Sequence, residues 1–313
     1  MVNFNPNSPD DWRKQFESIL SQQKGSDLDA LNEKLRRLSD DYNDKPQSYL
    51  RGYSPAMAYA LQHPWDSPGS PIQFAHDLPL EVLGGAKLFT QIRQLLMIVR
   101  DAGPVKATQS GNFNRKFVES ALDTFVDAEL KAEIISVNKV LNEPDIWPLH
   151  EARIVANCAE LLPIRKGHIS MPKKYHFLLE DNEAGQLFHG LFDTYFTEYN
   201  IGYRYPYGQD IDWLQHEIKF VLYPLSLQAQ SWLPIKGIAE KLMHPMVYPR
   251  LQDEMRASSC FTEDEVFAKY ILHPLSAWGL LEMRFKEEKH YSKASHVRTT
   301  PLFKKFIHFN SKP

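Results

Sequence analysis

The feature that most constrains the fold is a β-hairpin signal that lies directly between two helical segments. Residues 161–179 read LLPIRKGHISMPKKYHFLL, in which apolar residues lead into Arg165-Lys166-Gly167, a tight turn. Ile169 and Met171 then alternate with polar residues, which is the period of a β-strand. The sequence therefore predicts a short hairpin inserted between two helices.

The same series of residues recurs near the C-terminus. Residues 280–284 parallel 161–165, and residues 297–301 parallel 168–172, ending in both copies at a proline. After that proline each copy has two adjacent lysines and then an aromatic residue followed by an aliphatic one. We therefore predict a second hairpin at 280–300 and a second unit of the same plan.

The residues before the first hairpin have the periodicity of several helices. Apolar positions recur at helical spacing in 86–101, in 113–122 and in 148–161, and 127–141 is a charged helical stretch. Residues 104–108, PVKAT, are typical of a very short strand. The predicted order is therefore helix, short strand, helix, helix and hairpin.

This order is the plan of the winged helix-turn-helix. Residues 86–180 resemble that superfamily, and the hairpin followed by a terminal helix is similar to the wing of MarR-like bacterial proteins. The motifs GPVKAT at 103–108 and GNFNRKFV at 111–118 are similar to bacterial proteins of unassigned function. The resemblance implies a fold and no activity.

We predict a mainly α protein with small β-hairpins, of class α+β, built from tandem winged-helix-like units and an N-terminal helical region. Its predicted parts are an N-terminal helical region 1–62, a Pro-rich linker 63–84, a winged-helix-like domain 85–181, an aromatic connecting helix and loop 182–209, and a second winged-helix-like domain 210–313.

Outside the first unit, seven further segments carry specific expectations. We expect amphipathic helices at 10–22 and from Leu28 to about Asn43, packed against the body of the protein or a second copy. The linker should lack regular elements and, because of Trp65 and Phe74, should lie on a surface instead of floating free. The aromatic helix 183–200 should form core or a subunit interface. In the C-terminal third we expect helices at 210–223, from Pro234, and at 263–278 with a capping box.

The distribution of charge limits where the protein can bind a polyanion. The formal net charge is -3, so the chain lacks the overall positive field that would draw it onto nucleic acid or anionic lipid. Residues 161–177 nevertheless hold four lysines and arginines and no acid, whereas 178–217 hold eight acids and only Arg204. Affinity for phosphates is therefore expected at the hairpins alone.

The predicted nucleic-acid-binding residues come from both hairpins and from two helices. On the helix at 148–161, Arg153 and Asn157 are expected on a solvent side with His150 and Glu151, where they could read base edges. The complete predicted set is Asn114, Arg115, Lys116, Arg153, Asn157, Arg165, Lys166, His168, Lys173, Lys174, Lys286, Lys289, Lys293 and Arg298.

Catalysis receives little support from sequence motifs. His150-Glu151 lacks the second histidine of a zinc protease helix, and glycine-rich phosphate loops and nucleophile elbows are absent. Cys158 is expected to be an inert core thiol, and Cys260 lies in a polar turn without an evident base. We expect no cofactor and no metal, although a site assembled from distant residues stays open.

Two functions remain as expectations. The first is a DNA-binding regulator that contacts duplex DNA through its wings, with a homodimer through the aromatic helix 183–200. The second is a protein-interaction or scaffold protein whose winged helices contact a partner. The polar, acidic N-terminus and the lack of a long apolar run predict a cytoplasmic protein with no membrane segment.

Overall fold

The computed structural model describes residues 9–22, 28–65, 67, 69–205, 211–257, 261–288 and 291–310. Across these ranges the chain is mainly helical, with small antiparallel sheets, which agrees with the predicted α+β class. None of the helices in the described ranges has both the length and the apolar character that crossing a bilayer requires.

The N-terminal helices form close to where the sequence predicts them. They are α1 (Pro9–Gln22) and α2 (Leu28–Asp44), and a short α3 (Pro55–Ala60) follows. No residue of α2 is buried, and Leu28 is 69 % exposed. The apolar stripe of α2 is therefore only partly covered by the rest of the described chain.

The proline-rich segment 63–84 belongs to the folded body. It contains β1 (Ile72–Phe74) and α4 (Leu80–Leu83), and β1 pairs antiparallel with residues 307–309 near the C-terminus. The prediction that this segment lacks regular elements is therefore wrong. The pairing with a strand more than 200 residues away could not be read from local sequence.

Trp65 and Phe74 are buried inside the molecule. They are 2 % and 8 % exposed, and both rings contact Phe192 at centroid distances of 5.7 and 5.6 Å. These contacts hold the segment against the body of the protein, as its aromatic residues indicate, and they leave neither ring available to dock a partner. Aromatic rings of this size contribute most to stability when they are enclosed on all sides.

The first unit follows the predicted order of elements. It consists of α5 (Lys87–Ala102), β2 (Val105–Lys106), α6 (Arg115–Phe125), α7 (Ala128–Val137), α8 (Trp147–Cys158), β3 (Ile164–Arg165) and β4 (His168–Ile169). The chain leaves α5 at Gly103, whose φ of 73° is accessible to glycine without strain.

The predicted first hairpin is confirmed. Strand β4 pairs with β3 on one side and β2 on the other, so the order across the sheet is β2-β4-β3. Lys166 and Gly167 form the two-residue turn, with φ of 50° and 72°. Two positive φ values in succession are the mark of the mirror-image turns that match strand twist in tight hairpins.

The aromatic helix α9 (Ala184–Thr197) forms the centre of the core. Phe188 and Phe192 are fully buried, and the rings of Trp278 and Phe306 close over them. The expectation of core is confirmed. The aromatic face is covered by the same chain, and the homodimer through 183–200 stays a prediction.

The second unit repeats the order of the first. It consists of α10 (Ile218–Gln228), β5 (Leu233–Pro234), α11 (Ile238–Leu242), α12 (Tyr248–Ala257), α13 (Glu263–Phe267), α14 (His273–Ala277), β6 (Leu281–Glu288) and β7 (Tyr291–Thr299). The strand order is β5-β7-β6, so again the first strand pairs with the last. The chain then forms α15 (Pro301–Phe306) and β8 (Ile307–Phe309).

Two predicted boundaries in this unit shift. The helix expected at 210–223 consists of a 3₁₀ turn at Asp212–Glu217 and then α10, which runs to residue 228. Pro234, expected to open a helix, lies in β5. The capping box of Thr262 and Glu265 at the start of α13 is confirmed.

The two units also share a way of anchoring the start of their second helix. In the first, the Glu143 carboxylate accepts the backbone N–H of Phe113 just before α6. In the second, the Asp264 carboxylate accepts the N–H groups of Gly237 and Ala239 at the start of α11. Glu143 lies just before α8 and Asp264 lies in α13, so in each unit an acid from a later helical segment anchors this helix start.

Candidate nucleic-acid interface

A row of basic side chains crosses the first sheet. In the register of the strands, Lys106 of β2 pairs with His168 of β4, and His168 pairs with Arg165 of β3. Directly paired residues lie on the same face of an antiparallel sheet, with adjacent Cβ atoms about 4.5–5.5 Å apart. The three side chains are all exposed, whereas Val105 and Ile169 in the neighbouring row are buried.

The start of α6 lies beside this row. The side chain of Asn114 accepts the N–H of Phe117 as an N-cap and donates to the carbonyl oxygen of Lys106 at 2.8 Å. Arg115 and Lys116 follow and are exposed. Because Asn114 uses its amide to join the helix to the strand, Arg115 and Lys116 are held close to the sheet.

Among the described residues, the cations of the first hairpin and of the segment after it have no acidic partners. Across the described ranges, Arg165, Lys166 and Lys173 form no ion pair, and all three are exposed. Lys174 is also exposed, with its ammonium 4.4 Å from the centroid of the Tyr175 ring. These positive charges are therefore not neutralised by acidic side chains of the described residues.

In the second hairpin, two predicted cations are already paired. Arg298 lies 2.6 Å from a carboxylate oxygen of Glu282 on the neighbouring strand. Lys293 lies 2.5 Å from Glu265 at the start of α13. Their charges are neutralised within the chain, so this hairpin offers less net positive charge than its sequence indicates.

Near the second hairpin, one further lysine is exposed, and two arginines stack on an aromatic ring. Lys286 is exposed. The guanidinium groups of Arg284 and Arg298 lie 3.9 and 4.5 Å from the centroid of the Trp232 ring. Predicted residue Lys289 lies outside the described residues, as does Cys260.

The predicted reading face of α8 is enclosed. Arg153 is 8 % exposed, its Nε donates to Glu143, and its second terminal nitrogen donates to Asn112. His150 is 3 % exposed and bonds the same carboxylate through Nδ1 at 2.7 Å. The prediction that Arg153 faces solvent is therefore wrong, and Asn157 is partly buried.

Glu151, also expected on the solvent side, anchors a second buried network. Its carboxylate accepts the hydroxyl of Tyr195 at 3.2 Å and the indole N–H of Trp147 at 3.1 Å. Burial raises the pKa of Glu151, while the nearby Arg204 guanidinium acts in the opposite direction. These buried polar groups satisfy one another, which explains how a polar helix face can lie in the interior.

Cys158, at the end of α8, is partly buried, and burial raises the pKa of its thiol. The nearby Glu198 carboxylate adds to this effect. A raised pKa leaves less thiolate at neutral pH, so the geometry agrees with an unreactive thiol.

An open cleft of about 790 Å³ lies between the loop that leads into α6 and the turn that precedes α8. Residues 112–116 line one side and residues 142–145 the other. Within the described part of the chain, no group of three or more His, Cys, Asp or Glu side chains is arranged to hold a metal ion.

Comparison with known proteins finds one protein family whose pattern matches the first unit. Residues 84–184 match the Y4jL N-terminal domain family. The uncharacterized protein y4jL of Sinorhizobium fredii strain NGR234 is 26 % identical over 174 residues, covering 54 % of this chain and 76 % of that protein. No solved structure matches the chain. The chain is thus similar to a bacterial protein of unassigned function.

Two features of these sites escaped the sequence analysis. Lys106 joins the basic row, but it precedes the hairpin by nearly 60 residues and only strand pairing brings it there. Glu143, which lies between two predicted helices, is fully buried and organises α8 through His150 and Arg153. A charged residue between a helix end and a proline gives no local signal of burial.

Proposed function

We propose that this protein binds duplex DNA through phosphate contacts at the first hairpin and has a regulatory role. The observation that carries the proposal is the exposed row of Lys106, His168 and Arg165, extended by Lys166 at the turn. Lysine and arginine contacts to phosphates release condensed counterions and supply most sequence-independent affinity.

The order of elements supports a winged-helix assignment for both units. Each has a helix, a short strand, further helices and a hairpin, and each pairs its first strand with its last. In this plan the hairpin is the wing, which projects from the helices and can lie along the phosphate backbone. The shared carboxylate anchor of Glu143 and Asp264 adds to the likeness of the two units.

The proposed binding does not depend on sequence. In a winged helix the bases are read by the helix before the hairpin, here α8, and its Arg153 is enclosed. Affinity would then come from phosphates alone, with dissociation constants of about 10⁻⁴–10⁻⁶ M at physiological salt. Arg115 and Lys116 beside the row would add further phosphate contacts.

Fluorescence polarisation with short labelled duplexes of unrelated sequence tests the proposal. We expect similar affinity for each duplex and a linear fall of log affinity with log salt. Reversing charge in Arg165→Glu with Lys166→Glu should weaken binding and reduce the salt slope by about 2, because each lost phosphate contact accounts for about 0.9.

The matched control is Lys34→Glu with Arg36→Glu on the exposed face of α2, which changes net charge equally. It should bind like wild type. The proposal would be contradicted if the wild-type protein showed no salt-dependent duplex binding at low ionic strength. It would also be contradicted if both double variants lost the same amount of affinity.

A protein partner is the second candidate, and the enclosed α8 favours it. A winged helix without a reading face has lost the surface by which such folds select DNA sequences. Under this alternative the basic row contacts an acidic protein segment. Polyglutamate would then compete with, or replace, duplex DNA as the ligand of the Arg165 and Lys166 surface.

A further inference from the structure

We propose that Tyr203 is a nucleophile that reacts with activated phosphate esters, with His150 as its general base. Glu143, His150 and Tyr203 form a continuous hydrogen-bonded network. Glu143 Oε1 lies 2.7 Å from His150 Nδ1, and His150 Nε2 lies 3.0 Å from the Tyr203 hydroxyl. A carboxylate, an imidazole and a hydroxyl in this order form the arrangement that activates a nucleophile.

Glu143 acts as a positioning residue. It is fully buried, and its two oxygens accept hydrogen bonds from His150, the Arg153 guanidinium and the backbone N–H of Phe113. A carboxylate can only accept, so the proton of the neutral imidazole lies on Nδ1. The lone pair of Nε2 then faces the Tyr203 hydroxyl, which donates its hydrogen bond to it.

The three residues of this network differ sharply in their exposure to solvent. Glu143 and His150 are 0 % and 3 % exposed, whereas Tyr203 is 55 % exposed. A hydrogen-bonded network that serves stability alone has no need of an open end. Tyr203 therefore connects the buried base to the surface of the protein.

A cation contacts the aromatic ring that stacks on Tyr203. The Trp147 ring stacks on the Tyr203 ring at 6.0 Å and has the Arg204 guanidinium 5.2 Å from its centroid. Arg204 is only loosely paired, 3.5 Å from Glu151, and its side chain is 42 % exposed. It can turn to the anionic oxygens of a phosphate, which are favoured partners of a guanidinium group.

The chemical step is balanced without a redox partner. The phenol oxygen of Tyr203 forms a bond to phosphorus as the bond from phosphorus to the leaving oxygen breaks. The phenol proton passes to His150 Nε2, where the Glu143 carboxylate stabilises the imidazolium, and the leaving oxygen departs as a phenolate or takes a proton from solvent. The products are a phosphotyrosyl ester and the free alcohol or phenol. This site is independent of DNA binding at the hairpin.

Bis(para-nitrophenyl) phosphate is a suitable probe, because it is anionic and releases a coloured phenolate on attack. We expect up to one equivalent of nitrophenolate per chain and an adduct on Tyr203, located by peptide mass spectrometry. Tyr59, which is 65 % exposed, is the internal control and should stay unmodified. Tyr203→Phe should abolish the release.

Further variants separate the roles. His150→Gln should slow the release about 100-fold, as expected for loss of a general base, and should remove a protonation step from the rate–pH profile. Glu143→Gln should shift that profile, and Arg204→Ala should raise the probe concentration needed for half-maximal rate. Circular dichroism will show whether each variant folds.

Labelling of the wild-type protein is by itself sufficient to contradict the proposal. Equal labelling of Tyr203 and Tyr59, or no adduct on Tyr203 across the pH range, would mean that the hydrogen-bonded network serves only the structure. A folded His150→Gln variant that reacts at the wild-type rate would have the same meaning.

Discussion

Glu217 offers a test of how the interior of the second unit tolerates charge. It ends the 3₁₀ turn before α10, is 9 % exposed, and its Oε2 has no hydrogen-bond partner among the described residues. Burial raises the pKa of this carboxyl to about 7. An unpartnered buried carboxylate is unfavourable, so the group keeps its proton while the chain is folded.

The sign of the pH effect follows from proton binding. Between the pKa of the unfolded chain, 4.5, and that of the folded chain, about 7, the folded state holds one proton more. Stability therefore falls as pH rises through this window, by about 1.4 kcal/mol per pH unit. Above pH 7 the accumulated loss amounts to about 3 kcal/mol.

Glu217→Gln removes this loss, because the amide stays neutral at every pH. Urea unfolding followed by circular dichroism should show the variant more stable than wild type by about 3 kcal/mol near pH 8, and by under about 1 kcal/mol near pH 5. The exposed Glu133→Gln is the matched control and should show no such trend. An advantage of Glu217→Gln that is equal at both pH values would refute the reasoning.

Two further predictions concern the core. Burial, together with the positive charges of Arg204 and Lys269, lowers the pKa of His273 to about 4, so stability should fall as pH drops from about 6.5 towards 4; His273→Gln should retain about 2–3 kcal/mol more than wild type near pH 4.5 in urea titrations. Phe192→Ala, which empties the centre of the aromatic core, should cost about 3–5 kcal/mol. An unchanged urea midpoint for Phe192→Ala would mean that α9 is not central to the core.

Local signals were sufficient for the first hairpin. Residues 164–169 contain both strands and the Lys166-Gly167 turn, so the residues that form the element are consecutive in sequence. The same is true of the capping box at Thr262. These elements could be predicted because the interacting groups lie within a few residues of each other.

The exposure of α8 could not be predicted in this way. Its polar positions, His150 and Arg153, have the spacing of a solvent face, but Glu143 and the chain around Tyr203 cover that face. Periodicity reports only that two faces of a helix differ in polarity. A polar face can be buried wherever another segment supplies matching hydrogen-bond partners.

The sequence by itself determined the helices, the two hairpins and the concentration of positive charge at the first of them, since each depends on neighbouring residues. Only the tertiary structure decided which charges stay unpaired. Arg298 and Lys293 meet carboxylates from other segments, whereas Arg165 gains His168 and Lys106 as neighbours. Pairing between distant segments depends on how the chain packs, and a charge pattern along the sequence carries no information about that packing.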